Sequence, residues 1–424
     1  MTEYRCTGSP QLMKEINKSM ILDLVRRKDA ISRAEIAKEL RLSPPTVSKI
    51  IDQLISSGWI LEIGTGESSG GRRPLLLQFN AQHGFVIGAW VGDSSLIAAV
   101  ADLCGNILLK KTLTRRSSSR ECEVGNVKGD EPPPLEEELI RLLYRTLQEA
   151  DVPPEKVLGI GVAVCGITRI EKGTVVRGRY LPGWEDFPIQ QVLEAEFNVP
   201  VVADGDTFMA VLGEAWKGAG QGLSHLVRVT LGEGIGCGIL IDAKPYRGAT
   251  GAAGEIGDLI VHDRLGQRSV LDKGGYLEEA AGFSSLVAGA QQVVREGRET
   301  LMCELCQGDP DHITPETVLQ AALKNDQIAL EILRRASASL GRAIANIISV
   351  LNPELVILGG EFAEAGPLVL RMVEDEVRTL LATPPPMKLS RLGRDAEIYG
   401  AISLALERVT PVVAVSVSQA TSVV

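Results

Sequence analysis

No stretch of this chain approaches the roughly twenty consecutive apolar residues that a membrane-spanning helix needs. The N-terminus lacks the basic-then-apolar pattern of a secretory signal, so the expected location is the cytoplasm. Cysteine is sparse and odd in number, seven in 424 residues, which argues against a disulfide framework and for a reducing compartment. Cys303 and Cys306 form a C-x-x-C within a helical pattern. With neither a second cysteine pair nor a strand-helix redox context, they read as small helix residues rather than a metal or redox pair. An overall basic excess is missing too: the formal net charge is -10, which by itself argues against a coat for nucleic acid.

The chain is too long for one core and suits about three compact units. Its charge is divided, with twelve Lys or Arg against nine Asp or Glu in residues 1–80, a net +3, leaving -13 for the rest. An acidic remainder is repelled by phosphate, so one basic end is left to dock on DNA.

Local signals between Ile31 and Phe79 give that end a shape. Ser32 stands three residues before Glu35, the spacing of a reciprocal capping box at a helix start. A short helix follows with Ile36, Ala37 and Leu40 inward, and Arg41 and Leu42 make the turn. Ser43 before Pro44 supplies an N-cap and a first-position proline, whose missing amide costs nothing there. Val47, Ile50, Ile51 and Leu54 then recur at helical spacing as a buried stripe. That leaves Ser43, Pro45, Thr46, Ser48 and Lys49 as the set near the helix N-terminus that faces bases and phosphates. Leu12, Ile16, Met20, Leu24 and Val25 predict a preceding helix, and Trp59 to Ile63 and Leu75 to Phe79 predict two strands. The loop between the strands carries Gly70-Gly71-Arg72-Arg73-Pro74. Glycine allows close approach to a narrow minor groove whose negative potential attracts Arg72 and Arg73. The whole is a winged helix-turn-helix at residues 1–80.

Past Asn80 the pattern alternates strands and helices. Phe85 to Val91, Leu96 to Asp102 and Asn106 to Thr112 predict three successive strands, followed by a polar surface loop over Ser117 to Pro134 and an amphipathic helix from Leu135 to Ala150. Further strands are predicted at Val157 to Val164, Val199 to Ala203, Leu226 to Leu231, Ile235 to Ile241 and Leu355 to Leu358. Helices are predicted around Leu193, around Ala210, at Val318 to Leu323 and at Ile328 to Leu351. Mixed sheets flanked by helices in two blocks imply two α/β lobes with a cleft between them. The expected lobes span 81–203, joined by a C-terminal helix at 395–408, and 204–394.

These motifs, in this order, resemble the ROK family of repressors and sugar kinases, in its regulator branch. The resemblance covers nearly the whole chain: Gly71-Arg72-Arg73-Pro74, Leu181-Pro182-Gly183-Trp184, the loop from Gly232 to Gly238, Ala253-Gly254-Glu255-Ile256-Gly257, and Asn352-Pro353 with Gly359-Gly360. It implies an α/β architecture in which the winged helix precedes a two-lobed actin-like (ribonuclease H-like) ATPase fold. By the same resemblance Asp206 matches the family's catalytic and sugar-binding aspartate, Glu255 and Glu278 match two hydroxyl-binding acids, and Asp258 stands where a histidine is usual. Gly205 replaces the usual asparagine. A bland alternative is structural: these acids cap helices or pair with Arg264, Arg268 or Lys273.

Departures from the family pattern bear on activity. Phosphoryl transfer needs a metal and donors around the phosphates. The first phosphate loop's aspartate, glycines and threonine correspond here to Trp90, Gly92, Asp93 and Ser94, and the second loop's threonine to Glu233. An indole in place of a metal-facing carboxylate, and a carboxylate in a triphosphate cradle, imply that ATP binding is lost. The family's structural zinc ligands fall at Asp258, Ser269, Leu271 and Tyr276, none a thiolate or imidazole, so no zinc and no other cofactor is expected.

The expected function is a transcriptional regulator of sugar-metabolism genes. It binds operator DNA as a homodimer or larger homo-oligomer, and a sugar or sugar-derived effector biases lobe closure and so operator affinity. Apolar residues at Ile344 to Leu351 supply either subunit contacts or ordinary core. Rival readings are an active ATP-dependent sugar kinase, an effector-independent DNA-binding protein, and control through a protein partner. Lys49→Ala is expected to weaken binding to all duplexes and to flatten the salt dependence, whereas Arg72→Ala acts mainly on A·T-rich flanks. Equal loss at every site and salt concentration, measured by titration of fluorescent duplexes, would contradict this assignment.

Overall fold

A computed structural model of the chain describes residues 10–66, 73–92, 95–115, 134–169, 173–177, 181, 183–232, 234–261, 275–360 and 366–409. The head comprises α1 (Pro10–Arg27), β1 (Ile31–Ser32), α2 (Arg33–Leu40), α3 (Pro44–Ser56), β2 (Ile60–Thr65) and β3 (Leu75–Phe79). The Ser32 hydroxyl accepts from the Glu35 amide at 3.3 Å while the Glu35 carboxylate accepts from the Ser32 amide at 2.8 Å, so both halves of the capping box form. Arg41, at φ 53°, ends α2 in the left-handed region. On α3 the expected stripe of Val47, Ile50, Ile51 and Leu54 is buried. Arg33 binds Asp52 (2.7 Å) and Glu62 (3.3 Å), tying α2 to α3 and β2.

Two features of the head differ from expectation. Ile31 and Ser32 read in sequence as the approach to a cap, but they pair antiparallel with Leu77 and Leu76, making the wing sheet three-stranded in the order β1-β3-β2. The inward stripe of α1 is also rotated. Val25 is buried as expected, with Ile21 and Leu22 beside it, whereas Ile16, Met20 and Leu24 are half-buried. Apolar residues occupy more than one side of this helix, and β3 packs on it along with α2 and α3. The wing residues Gly70, Gly71 and Arg72, like the loop 116–133, lie outside the described residues.

The body continues as β4 (Phe85–Val91), β5 (Ser95–Asp102), β6 (Ile107–Thr114), α4 (Leu135–Glu149), β7 (Val157–Val164), β8 (Ile167–Arg169), β9 (Thr174–Arg177), α5 (Ile189–Phe197), β10 (Val201–Gly205) and α6 (Asp206–Lys217). Then come β11 (Leu226–Leu231), β12 (Ile235–Ile241), β13 (Lys244–Pro245), α7 (Tyr276–Ala281), α8 (Phe283–Arg295), α9 (Leu301–Leu305) and α10 (Pro315–Leu323). Last are α11 (Gln327–Leu351), β14 (Leu355–Gly360), α12 (Gly366–Leu380), β15 (Met387–Leu389) and α13 (Ala396–Val409). Two five-stranded sheets follow one plan. One runs β6-β5-β4-β7-β10 and the other β13-β12-β11-β14-β15, each with its first three strands in sequence order and its later two added beyond the first.

Among the described residues one compact unit runs from the head to Val162 and adds Pro188–Ala203 and the chain from Ala401. The other takes Ala163–Phe187 and Asp204–Gly400. Relative to the expected lobes, the strands β8 and β9 fall in the second unit, where the Thr168 hydroxyl donates to Asp204. In the first unit the head is joined to β4 by a hydrogen-bonded link. The Asn80 amide donates to the Trp59 carbonyl and its side-chain amide to the Gly58 carbonyl, both at 2.9 Å, and the Leu103 amide donates to Ala81 at 3.0 Å. His83 stacks near Trp59 at 4.6 Å between ring centroids, and burial, with Lys156 nearby, holds its imidazole below the ordinary value.

In the second unit Ile344, Ile347 and Ile348 of α11 are buried in the core, so the candidate contact surface there is interior packing, although Val350 is 80% exposed. Cys306 caps α9 and is buried, with its thiol toward the Cys303 carbonyl at 3.5 Å. No helix among the described residues is long and apolar enough to cross a membrane.

Ser32→Ala is expected to cost the head about 1 kcal/mol, seen as faster amide exchange over residues 33–56. Ser32 holds the Glu35 carboxyl below its ordinary value of 4.5. The part of the cap's contribution that needs the ionised carboxylate is therefore present above pH 4.5 and lost as pH falls through the lowered value, and the mutational penalty shrinks by that part while the Glu35 amide bond remains. An unchanged exchange rate at neutral pH would contradict the role.

Candidate functional site

The N-terminal turn of α3 is the candidate DNA-reading surface. Pro45 and Lys49 are exposed and Thr46 and Ser48 half-buried. The Ser43 hydroxyl is engaged as the cap: it accepts from the Thr46 amide at 3.4 Å and lies 2.7 Å from the Thr46 hydroxyl. Pro44 and Pro45 carry no amide hydrogen, and the Val47 amide donates to the Ser43 carbonyl at 3.1 Å, so an anion at this helix start meets the positive end of the helix dipole and the Lys49 side chain rather than free amides. Arg73 is exposed at the foot of the wing; Arg72 lies outside the described residues.

At the end of β4, the Trp90 indole lies against Gly92. A Cβ placed on Gly92 would lie 2.3 Å from the indole, so only glycine fits beneath the ring. The indole nitrogen is buried without a hydrogen-bond partner. A flat apolar ring thus stands where the resemblance implies a metal-facing carboxylate. Asp93, Ser94 and Glu233 lie outside the described residues.

The four predicted effector acids all belong to the second unit. Asp206 opens α6 and is half-buried, its carboxylate accepting from the Thr207 amide at 2.8 Å. Burial pushes its carboxyl up to about 7; the charges of Glu397 and Glu255 add to the rise, against the Thr207 amide and Arg228. Glu255 and Asp258, on the loop after β13, are exposed. Glu278 is buried and accepts from the Ile235 and Gly275 amides, each at 3.2 Å. The capping role left open in the sequence is therefore real for Glu278, which closes the first turn of α7. A Cβ on Gly257 would meet the Glu278 carboxylate at 2.6 Å, and one on Gly275 the Asp258 carboxylate at 2.5 Å. Absent side chains at those two glycines let the turn 255–258 seat against the start of α7.

Sequence reasoning missed the groups that surround Asp206. Arg228, fully buried on β11, pairs with Glu397 at 3.2 Å and donates to the Thr230 hydroxyl. Its Nε is buried without a partner. Gly359 makes room for it, since a Cβ there would lie 2.7 Å from the guanidinium. Glu214, buried on α6, accepts from the Ser390 hydroxyl and from the Ala219 amide at 2.7 Å. Burial also pushes the Glu397 carboxyl upward, with Arg228 opposing. Asp204, two residues before Asp206, accepts from Arg247 Nε (2.7 Å), the Thr168 hydroxyl (3.1 Å) and the Gly205 amide (2.8 Å). A lone arginine in the apolar run Leu226 to Leu231 was the one visible signal. Among the described residues no group of three or more His, Cys, Asp or Glu is arranged to hold a metal ion.

A model of the ROK family matches residues 88–408, and one of winged helix-turn-helix DNA-binding regions matches residues 15–60. The xylose repressor of Caldicellulosiruptor bescii is 32% identical over 409 residues, 94% of this chain and 97% of that protein. The crystal structure of a ROK family transcriptional regulator, a homologue of the E. coli MLC protein, aligns with a TM-score of 0.76 at 23% identity, over 96% of this chain and 99% of that one. A ROK family glucokinase from Streptomyces griseus, solved in complex with glucose and AMPPNP, aligns with a TM-score of 0.64 at 26% identity, over 76% of this chain and 100% of that one.

The raised Asp206 carboxyl has a stability consequence. Between the ordinary value of 3.8 and about 7 the folded protein keeps a proton that the unfolded chain releases. Stability therefore falls as pH rises through that window. Asp206→Asn is expected to raise the thermal midpoint above pH 7 while leaving it unchanged near pH 4. A variant no more stable than the parent at pH 8 would contradict the protonated state.

Proposed function

The chain belongs to the ROK family, and we propose that it is a transcriptional repressor of sugar-metabolism genes whose body binds a sugar effector without phosphorylating it. The observation that carries this reading is a contrast within the body. Acids suited to sugar hydroxyls are retained at Asp206, Glu255 and Glu278, while Trp90 stands where a kinase needs a metal-facing carboxylate. Carboxylates accept from vicinal hydroxyls, and a half-protonated Asp206 can also donate. An indole offers neither metal ligation nor a place for phosphate charge.

The head is the output. Operator DNA is held by the first turns of α3, with Ser43, Pro45, Thr46, Ser48 and Lys49, and by Arg72 and Arg73, with two heads of a homodimer, or of a larger homo-oligomer, reading paired half-sites. Sugar at Asp206, Glu255, Asp258 and Glu278 favours one conformation of the body, and operator affinity follows that population. Similarity to the xylose repressor of Caldicellulosiruptor bescii supports a sugar as the effector class.

No cofactor is included. The positions matching the family's structural zinc ligands are Asp258, Ser269, Leu271 and Tyr276, whose donors do not suit a closed thiolate-imidazole site. Likeness to a glucokinase favours a second reading, an active kinase with a DNA-binding head, and Trp90 weighs against it.

Selection of bound duplexes from a random pool, followed by titration of xylose, glucose and N-acetylglucosamine against the complex, tests the proposal. At least one sugar is expected to change operator affinity by about fivefold or more, with no ATP-dependent phosphorylation of any of them. Operator affinity indifferent to all three, or product formation with ATP, would contradict it.

A further inference from the structure

The Asp204 carboxylate gathers three segments distant in sequence. It is 2% exposed and accepts from the Gly205 amide on its own strand, from Thr168 on β8, and from Arg247 at the head of the loop that carries Glu255 and Asp258. Asp206 follows two residues later, at the first position of α6. The Arg247 guanidinium lies 5.9 Å from the centre of the Phe208 ring, so the same side chain also rests on the first turn of α6.

The loop downstream of Arg247 is fixed at further points. The Ala253 amide donates to the Arg247 carbonyl at 3.2 Å, and the Cys237 amide donates to the Gly254 carbonyl at 2.8 Å. Gly254 has φ +90°, and a Cβ there would lie 1.9 Å from the Cys237 carbonyl oxygen. The loop is thus seated against β12 at Gly254 and, at its start, by the Tyr246 amide donating to the Ile239 carbonyl at 2.8 Å; the Arg247 side chain adds a charged hydrogen bond to a buried acid. Such charge-assisted bonds are the stronger kind, and removing one partner leaves the other buried and unpaired.

We propose that Arg247 is a positioning residue of the effector site: by clamping Asp204 it holds the Glu255–Asp258 loop at a fixed distance from Asp206, so that acids from two elements grip one sugar together. Arg247 and Asp204 act without touching the sugar themselves. This rests on the effector reading above, and it adds to that reading a residue that sets the affinity. A binding constellation needs such support because ring hydroxyls are read only when their acceptors stand at the right spacing.

The test measures xylose, glucose and N-acetylglucosamine affinity by calorimetry for the parent, Arg247→Ala, Arg247→Lys and Asp204→Asn, with deuterium exchange over residues 248–257 and the thermal midpoint of each. Arg247→Ala is expected to weaken the sugar that the parent binds by about tenfold, within the range for residues coupled in one network, and to speed exchange in the loop. Arg247→Lys is expected to restore most of both, since an ammonium keeps the charge. Asp204→Asn, which keeps partners for Thr168 and Gly205, is expected to weaken binding as Arg247→Ala does. Sugar affinity within twofold of the parent in Arg247→Ala and Asp204→Asn, with only a lowered midpoint, overturns the positioning role alone. A parent that binds none of the three sugars overturns the effector reading as well.

Discussion

One guanidinium stands among more carboxylates than it can neutralise. Arg228 is fully buried beside Glu397, and the buried Glu214 and half-buried Asp206 lie in the same electrostatic neighbourhood. Burying charge is expensive, and an excess of acids over bases is relieved by holding a proton. Burial and repulsion from neighbouring acids push both Asp206 and Glu397 toward the protonated form, the Asp206 carboxyl up to about 7 from 3.8. A carboxyl in that state both donates and accepts, which matches a sugar hydroxyl better than a permanent anion does. The surrounding backbone is shaped to permit the cluster. Gly359 leaves space for the guanidinium, and Gly238 lets α6 lie so close to β12 that a Cβ would fall 2.2 Å from the Thr207 carbonyl oxygen. The glycine-rich segment therefore serves helix-to-sheet packing whether or not it ever holds a phosphate.

The two sheets share a strand plan, yet their turns have different fates. In the first, the Trp90 indole lies against Gly92 at the end of β4, where the resemblance implies a phosphate loop. In the second, the β12–α7 region carries Glu255, Asp258 and Glu278, the last held by the Ile235 and Gly275 amides. The end of the head is fixed by Asn80 bonding to Trp59 and Gly58, and the Leu103 amide, just past β5, donates to the Ala81 carbonyl that follows.

Much of this architecture was legible in the residues themselves. The strands at Val157–Val164, Leu226–Leu231 and Ile235–Ile241 are apolar runs bounded by turn residues, and their observed bounds match the expected ones. Ser32, Glu35 and Ser43 announce their caps because the bonds span only three residues. Longer-range features were not legible. The strand Ile31–Ser32 exists only through Leu76 and Leu77, and the burial of α1 depends on which neighbours arrive. Arg228 is a lone charge in an apolar run, a signal the sequence reading passed over, and nothing local names Glu397 as its partner, nor Arg247 as that of Asp204. Pairings of that kind are set by the tertiary fold, which local spacing does not encode.

The central claim is that sugar and operator act on one equilibrium of one molecule. Thermodynamic linkage makes such coupling reciprocal: the factor by which sugar alters operator affinity must equal the factor by which operator alters sugar affinity. The most direct measurement is the dissociation constant of the effective sugar with the protein free and with it saturated by its selected duplex. The account predicts that the two constants differ, in the same direction and by the same factor as the shift in operator affinity. Identical sugar affinity with and without DNA would contradict it.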